Sequence, residues 1–201
     1  MLGFDNLEVG DEFYYEYFVA EDYYDDNNSN YEILADTLVL EVCNIIDGNR
    51  YVISERITEN SAMNSSSDTY YYEADSVFTS FWILRNDSFF LEKKSHETFR
   101  SHLFFNSKPT LPLQNFNGMQ TELFGWKFVA NASEFPPDYF IENGIIGNNN
   151  YPHINVVVNE EGTFADGPGF LYFYNEEDGI VRSATWSAWT GMGAGWERIK
   201  N

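Results

Sequence analysis

The feature that most constrains this chain is a two-residue alternation of apolar and polar side chains that recurs along its length. In the run "FYYEYFV", Phe13, Tyr15, Tyr17 and Val19 fall on one face of an extended strand, because successive strand residues point to opposite sides. Turn-forming residues separate these runs, and no segment sustains the 3.6-residue apolar period of a long helix. The pattern predicts an antiparallel all-β fold.

The clearest local prediction is a hairpin in the first third of the chain. The alternating runs "EILADTLVLEVCNII" and "RYVISERIT" flank Asp47-Gly48-Asn49, which has the residue types that tight hairpin turns require. Asp36 and Asn44 interrupt the apolar face of the first run, so we expect the ends of that face to be exposed. Further hairpin turns are predicted at Asn86-Asp87 and at Glu177-Asp178-Gly179.

Several strands are apolar on both faces, which requires either a second layer or a sheet curled around its own interior. We therefore predict a single domain over residues 1–201. It is an antiparallel meander curled into a barrel or half-barrel, or packed as a two-layer sandwich, with at most one or two short helices. The segment "ASEFPPDYFIEN" is the candidate helix, because a proline suits a first helical turn. "HETFRSHLFF" is a candidate strand and "NGIIGNNN" a predicted loop.

Charge limits the partners that such a domain can have. The net charge is −21, and a surface this negative repels the phosphates of nucleic acids and anionic lipids. We therefore exclude DNA, RNA and acidic membranes as default partners. Cationic proteins, divalent metal ions and neutral ligands such as sugars stay open. No apolar run approaches the roughly 18 residues of a membrane-spanning helix, so no transmembrane segment is predicted.

The single cysteine and the glycine-rich tail carry no recognisable chemistry. Cys43 lies in an apolar run and is predicted to be a small core residue, since a lone cysteine forms no intramolecular disulfide. The tail "WTGMGAGWERI" has G-x-G-x-G spacing, which differs from the G-x-G-x-x-G of dinucleotide-binding proteins. We interpret its glycines as a means of closing the sheet, so that Gly193→Val should lower thermal stability.

Aromatic residues provide the candidate ligand contacts, because Trp and Tyr rings can stack on a ligand such as a sugar ring. The tryptophans of the tail are equally able to fill the core or plug the end of a barrel. The candidate ligand-binding residues are Tyr23, Tyr24, Trp186, Trp189 and Trp196.

Calcium is the one cofactor that the sequence leaves open. An acidic loop, "EDYYDDNNSNYE", supplies oxygen ligands of the type that calcium prefers. An EF-hand is excluded, because counting from Asp26 puts Tyr31 where glycine is needed and Thr37 where a bidentate glutamate is needed. A solvated acidic loop is the simpler reading, and an irregular site is the alternative. The candidate calcium ligands are Asp22, Asp25, Asp26, Asn28 and Asn30.

No catalytic motif is present in the chain. The G-x-S-x-G nucleophile elbow is missing, and among 32 acidic residues a glycosidase pair can be recognised only by its separation in space. We therefore predict that the protein is not an enzyme. A hydrolase that uses an unrecognised carboxylate pair is one alternative.

The two ends of the chain resemble a known type of domain. "VGDEFYYEY", from Val9, and the run from Gly179 to Ser183, "GIVRS", resemble the opening and closing strands of secreted or lipid-anchored antiparallel β-domains of uncharacterised function from Bacteroidota-type bacteria. Phe13 stands where those domains have Trp. The resemblance covers about a fifth of the chain and carries over no catalytic residue. It implies an extracytoplasmic location (periplasmic, cell-surface or secreted) if an export signal has been removed, and a cytoplasmic one otherwise.

Together these patterns predict a non-enzymatic extracytoplasmic β-domain that binds a protein or glycan partner through acidic and aromatic loops. A carrier of lipids or other hydrophobic ligands, with a cavity inside the curved sheet, is a second alternative, because strands that are apolar on both faces could line such a cavity. The identity of the partner and the oligomeric state do not follow from the sequence.

Overall fold

The computed structural model describes residues 4–20, 31–58, 77–85, 88–92, 101–104, 110–113, 123–124, 127–128, 139–146, 149–160, 169–186 and 193–200. These residues contain thirteen strands and one short 3₁₀ helix, Phe4–Asn6, which precedes the first strand. The strands are β1 Glu12–Ala20, β2 Tyr31–Ile46, β3 Arg50–Ile57, β4 Phe78–Arg85, β5 Ser88–Leu91, β6 Thr110–Pro112, β7 Leu123–Phe124, β8 Lys127–Phe128, β9 Tyr139–Ile146, β10 Asn149–Glu160, β11 Gly169–Asn175, β12 Gly179–Trp186 and β13 Gly193–Arg198.

Eleven of these strands form one antiparallel sheet in the order β6-β5-β4-β3-β2-β1-β13-β12-β11-β10-β9. The sheet consists of two meanders, a first one of β1–β6 and a second one of β9–β13, which are joined where β1 pairs with β13. It curls into a half-barrel, and β7 and β8 form a separate two-stranded ribbon. The predicted all-β meander curled into a half-barrel is thus confirmed.

The predicted hairpins are also confirmed. β2 pairs with β3 across a turn in which Asp47 and Gly48 adopt positive φ angles of 54° and 75°, a conformation that Gly, Asn and Asp tolerate best. Arg85 pairs with Ser88, which leaves a two-residue connection between β4 and β5. β11 and β12 pair around the turn that ends at Gly179.

Two predictions on β2 were wrong, and a bulge explains the first of them. Cys43 is exposed rather than buried, since the register shifts between Val42 and Asn44 and leaves Cys43 as the extra residue. Asp36 is fully buried rather than at an exposed end. Beyond the bulge at Cys43, Ile45 instead of Ile46 packs against the core.

Predictions for two other segments also need correction. The second part of the candidate helix and the start of the predicted loop form β9, where Asn143 has a φ of 54°, an angle that the right-handed helix does not accommodate. By register Asn143 lies opposite Pro152 of β10, which has no N–H for a ladder bond. Residues 101–104 of the candidate strand are not in a strand; residues 96–100, 105 and 131–138 lie outside the described residues.

The two meanders bury their faces differently. In the first meander β3 and β5 alternate between buried and partly buried residues, so that mainly the concave face is covered. In the second meander all the residues from Phe170 to Asn175 and from Gly179 to Thr185 are buried, on both faces. The second meander therefore carries a buried layer on its convex side in addition to the concave core.

The concave core is built from aromatic rings and is bridged from one wall to the other. The Phe4 N–H donates a hydrogen bond to the Glu176 carbonyl (3.0 Å) in the β11–β12 turn, while the Phe4 ring packs on Phe89 of β5 with centroids 5.2 Å apart. Phe104 packs on Phe89 and on Tyr172 of β11, each with ring centroids 5.6 Å apart. Side chains from opposite walls thus meet inside the curve.

Candidate functional site

The exposed side of the sheet carries an acidic patch where β1 begins and β2 ends. A turn at Gly10, with a φ of 97°, holds the chain against β2 through a hydrogen bond from the Gly10 N–H to the Val42 carbonyl (2.8 Å). The Val42 N–H in turn donates to the Asp11 carbonyl (2.9 Å). We define the acidic patch by its residues, which are Glu8, Val9, Asp11, Glu12, Tyr14 and Glu41.

Like charges face each other in the acidic patch. Glu12 of β1 lies directly opposite Glu41 of β2, an arrangement that destabilises a strand pair by a few tenths of a kcal/mol up to about 1 kcal/mol. Arg56 of β3 is 3.4 Å from Glu12, but both side chains are more than a third exposed, so water screens this pair. The patch therefore keeps a net negative potential on the outside of the sheet.

Tyr14 adds an aromatic ring to this surface. Its hydroxyl donates a short hydrogen bond to Glu12, and this bond, followed by burial and the charge of Glu12, raises the pKa of Tyr14. Val9 stands beside these groups with 60% of its surface exposed. The patch thus combines carboxylates, a phenol and one exposed apolar side chain.

A second group of charged residues lies on the convex side of the sheet, where β1, β13 and β12 are neighbours. Arg182 of β12 donates hydrogen bonds to Glu197 of β13 from Nε (3.2 Å) and Nη2 (2.6 Å), and both side chains are almost fully buried. The guanidinium also lies over the rings of Phe18 (5.1 Å) and Phe173 (5.6 Å). Arg182 is thus held by one carboxylate and two aromatic rings in the buried layer on the convex side.

Glu16 of β1 belongs to the same charged group, because it lies opposite Glu197 of β13 in the strand register. Burial, followed by the negative charge of Glu197, raises the pKa of Glu16. Two neighbouring carboxylates with different environments are a feature of glycosidases. Glu197, however, is buried and held by Arg182, so it has no surface with which to touch a substrate. Arg182, Glu197 and Glu16 therefore belong to the packing of the convex layer.

Glu55 is a buried carboxylate on the concave side. Its Oε2 accepts hydrogen bonds from the backbone N–H groups of His102 (2.7 Å) and Leu103 (3.2 Å) and from the Ser101 hydroxyl (2.8 Å). The Leu103 carbonyl in turn accepts a hydrogen bond from the Ser183 hydroxyl of β12 (2.5 Å). Segment 101–104 therefore ties β3 of the first meander to β12 of the second.

Two tyrosines and a lysine form contacts between strands at one end of the curved sheet. The Tyr15 hydroxyl donates to the Ile180 carbonyl (2.8 Å), and burial raises the pKa of Tyr15 to about 12. Lys200 lies 3.0 Å from the Asp178 carboxylate and 3.9 Å from the ring centroid of Tyr151. Burial, followed by the charge of Asp178, raises the pKa of Tyr151. These contacts join the end of β13 to β10 and to the β11–β12 turn.

The structure describes only part of the predicted ligand-binding set. Trp196 is fully buried in the concave core, with its ring centroid 4.8 Å from that of Tyr17. Trp186 ends β12, and its side chain lies outside the described residues, as do Tyr23, Tyr24 and Trp189. A ligand-binding role for these residues stays a prediction, and for Trp196 it would require a ligand inside the sheet.

The predicted calcium ligands all lie in residues 21–30, outside the described residues, so the calcium site also stays a prediction. Elsewhere in the described part of the chain, no group of three or more His, Cys, Asp or Glu side chains is placed to hold a metal ion. Among the same residues, no helix has the length and apolar character needed to cross a membrane.

Two buried acids were missed as interior groups, although the sequence contained a signal for each. Glu55 shares its face with Tyr51, Ile53 and Ile57, all of which are apolar. Asp36 interrupts the apolar face of β2, and we interpreted this interruption as an exposed end. An acid on the apolar face of a strand is therefore compatible with a buried side chain as well as with an exposed strand end.

Comparison with known proteins gives no relationship from which a function could be transferred. No family model, no curated protein and no solved structure matches the chain.

Proposed function

We propose that this chain is a non-enzymatic, extracytoplasmic binding domain whose acidic patch docks on a basic surface of a partner protein. The observation that carries the proposal is the direct opposition of Glu12 and Glu41 on the solvent side of neighbouring strands. Such a pair weakens the folded state, and a cationic partner would relieve the repulsion. The partner would thus recover free energy that the isolated domain lacks.

The surroundings of this pair support a protein partner. Tyr14 provides a ring against which an Arg or Lys side chain can lie, and exposed Val9 provides apolar contact. The net charge of −21 would also speed the encounter with a basic protein, an effect that falls as salt rises. A neutral glycan would gain nothing from this charge, so we favour a protein over a glycan.

The test compares two variants of equal charge. Binding of immobilised poly-L-lysine, used as a defined basic probe, is measured by interferometry for the wild type, E12Q/E41Q and E142Q/E177Q. Glu142 and Glu177 are exposed acids away from the acidic patch. We expect E12Q/E41Q to weaken binding by about fivefold to tenfold, roughly 1.0–1.4 kcal/mol, and E142Q/E177Q to have a much smaller effect.

Equal losses in the two double variants would contradict the proposal, because they would show that only the total charge matters. Binding should also weaken steeply between low and physiological salt. In parallel, a glycan array probed with the wild type distinguishes the second partner class. Saturable glycan binding that E12Q/E41Q leaves unchanged would replace the protein partner with a glycan and assign binding to another surface.

The extracytoplasmic location is a separate part of the proposal and rests on the resemblance of the strands at Val9 and Gly179. An antibody raised against this chain, applied to fractionated source cells that express the natural gene, tests it. Detection in the envelope or the medium supports the proposal. Detection in the cytoplasmic fraction alone overturns the location and leaves the binding role to be tested by the experiment above.

The non-enzymatic character is supported by the environment of one pair of facing acids among the described residues. Glu16 and Glu197 lie opposite each other in the strand register, but Glu197 is buried and forms an ion pair with Arg182. A hydrolase would need a carboxylate pair that flanks a substrate. Activity against chromogenic glycosides that disappears in E16Q would overturn this part of the proposal.

A further inference from the structure

The four acids of the acidic patch differ in what already occupies their carboxylates. The Asp11 carboxylate accepts a hydrogen bond from the Glu8 N–H (2.7 Å), in the turn that precedes β1. Glu12 accepts one hydrogen bond on each of its two oxygens. The carboxylates of Glu8 and Glu41, in contrast, form no hydrogen bond or ion pair with any residue in the described part of the chain. We call Glu8 and Glu41 the open acids.

Glu12 is held by an arginine that reaches it across the width of β2. Arg56 lies on β3 and Glu12 on β1, the two strands that flank β2, and Arg56 Nη2 is 3.4 Å from Glu12 Oε1. The Tyr14 hydroxyl donates to the other oxygen, Oε2. Both donors start from the same row of the sheet, because Arg56 and Tyr14 each lie opposite Val39 in the strand register. Internal donors therefore engage both oxygens of Glu12.

A basic partner has to compete with Arg56 for Glu12, but it meets no such competitor at Glu41. At Glu12 an incoming cation would replace an existing ion pair and would approach a guanidinium of the same charge. At Glu41 it would form a new ion pair and relieve the repulsion from Glu12. We propose that Arg56 determines the specificity of the acidic patch by directing the cations of the partner to the open acids and away from Glu12. This inference rests on the proposed function, because it concerns the same surface.

The first measurement compares two substitutions that change the net charge equally. R56M releases Glu12, whereas R85M removes an exposed arginine of β4 that lies outside the acidic patch, beside Phe90. We expect R56M to bind immobilised poly-L-lysine about twofold to fivefold more tightly than the wild type does, the range for an exposed ion pair. R85M should bind with nearly the affinity of the wild type. Equal gains in the two variants would overturn the role of Arg56.

The second measurement locates the contact. The soluble probe tetralysine is coupled to the protein with a carbodiimide, which activates a carboxylate for amide formation with an adjacent amine, and mass spectrometry identifies the coupled residues. Ethanolamine is the matched control, because it reports how reactive each carboxylate is by itself. Relative to ethanolamine, tetralysine should couple to the open acids in the wild type, and R56M should add Glu12. Asp11 should stay uncoupled in both proteins, because its hydrogen bond does not involve Arg56.

The two measurements separate this inference from the proposed function. Preferential coupling at Glu12 in the wild type, or unchanged coupling in R56M, would overturn the inference and leave the acidic patch as the docking surface. Coupling that favours acids outside the patch, such as Glu142 and Glu177, together with equal losses in E12Q/E41Q and E142Q/E177Q, would overturn the proposed function itself. Urea unfolding of R56M is the control for folding, and its stability should stay close to that of the wild type because the lost ion pair is exposed.

Discussion

The first meander buries mainly its concave face, whereas the second meander buries both. On the convex side of the first meander, Arg50 lies over the ring of Phe81 at 4.6 Å and reaches Glu92 at 2.5 Å, with its side chain still 30% exposed. On the convex side of the second, Arg182 lies over Phe18 and Phe173 with no exposure. The same combination of arginine, aromatic ring and carboxylate is partly exposed in the first meander and fully buried in the second.

This difference matters because the energetic weight of a charge depends on its surroundings. On the convex side of the first meander, charges can be removed at little cost, since water solvates whatever remains. In the second, removing one member of an ion pair leaves the other buried without compensation. The exposed surface of the first meander, which includes the acidic patch, can therefore tolerate changes of charge better than the buried convex layer of the second meander can.

Removal of Arg182 should have the largest effect. R182M should lower the free energy of unfolding by about 3–5 kcal/mol, because Glu197 stays buried without its partner. R56M, in the first meander, should change it by about 0.5 kcal/mol or less. Urea unfolding of both variants measures this. The double variant R182M/E197M should recover most of the loss, and a similar loss in R182M and R56M would remove the distinction between the two halves.

Gly195→Ala tests how closely the backbones approach in the second meander. A Cβ atom at Gly195 would lie 2.1 Å from the Ser183 carbonyl oxygen and 2.8 Å from the Ala184 Cα, so β12 and β13 would have to separate. We expect a loss of about 3 kcal/mol. Gly48→Ala in the β2–β3 turn meets no atom within 4 Å and should cost about 1 kcal/mol, through its positive φ alone. A Tm of G195A that equals or exceeds the Tm of G48A would contradict this expectation.

Glu55→Gln should uncouple the two meanders partially. The substitution puts an amide N–H₂ among groups that donate hydrogen bonds to the carboxylate, and hydrogen bonds to charged groups contribute about 1.5–3 kcal/mol. We expect a loss in that range, with faster hydrogen exchange at the amides of His102 and Leu103. E41Q, on the convex side of the same meander, should cause no loss because it removes a like-charge contact. Unchanged exchange in E55Q would show that segment 101–104 is held by packing alone.

Glu16→Gln should have the smallest effect, and its sign depends on pH. The folded state raises the pKa of Glu16 above the usual value of 4.5, so ionisation weakens the folded state as the pH rises through the unfolded and then the folded pKa. E16Q should therefore raise stability near pH 7, by well under about 1 kcal/mol because solvent screens this half-buried group. The gain should vanish below about pH 4. A gain that persists at low pH would exclude ionisation as its cause.

The sequence predicted the first meander better than the second. Alternation and the Asp47-Gly48 turn predicted the hairpin of β2 and β3, because β3 has one exposed and one buried face. The two register shifts of β2 were not predicted. In β11 and β12 nearly every side chain is buried, so alternation carries less information there. The pairing of β1 with β13 could not be predicted, since it depends on contacts between residues that are far apart in the chain.

The candidate sites were predictable to different degrees. The pairing of Arg182 with Glu197 could not be predicted, because it requires the register between β12 and β13. The opposition of Glu12 and Glu41 likewise depends on a strand register that alternation alone does not give. Asp36 falls on the apolar face of β2 in the sequence pattern, but an acid on such a face is compatible with an exposed strand end as well as with burial, so the pattern alone did not decide between them.

The pairing of β1 with β13 has a consequence for how the protein is made. On the ribosome, β1 emerges well before β13, so one of its two hydrogen-bonded edges has to wait until Gly193–Arg198 has been synthesised. Until then β1 exposes a row of unpaired N–H and C=O groups beside apolar residues, which is the kind of edge on which nascent chains associate. Correct maturation of this sheet therefore depends on protection of its first strand throughout translation, and slow synthesis of the last strands would prolong the interval in which the chain is most prone to aggregate.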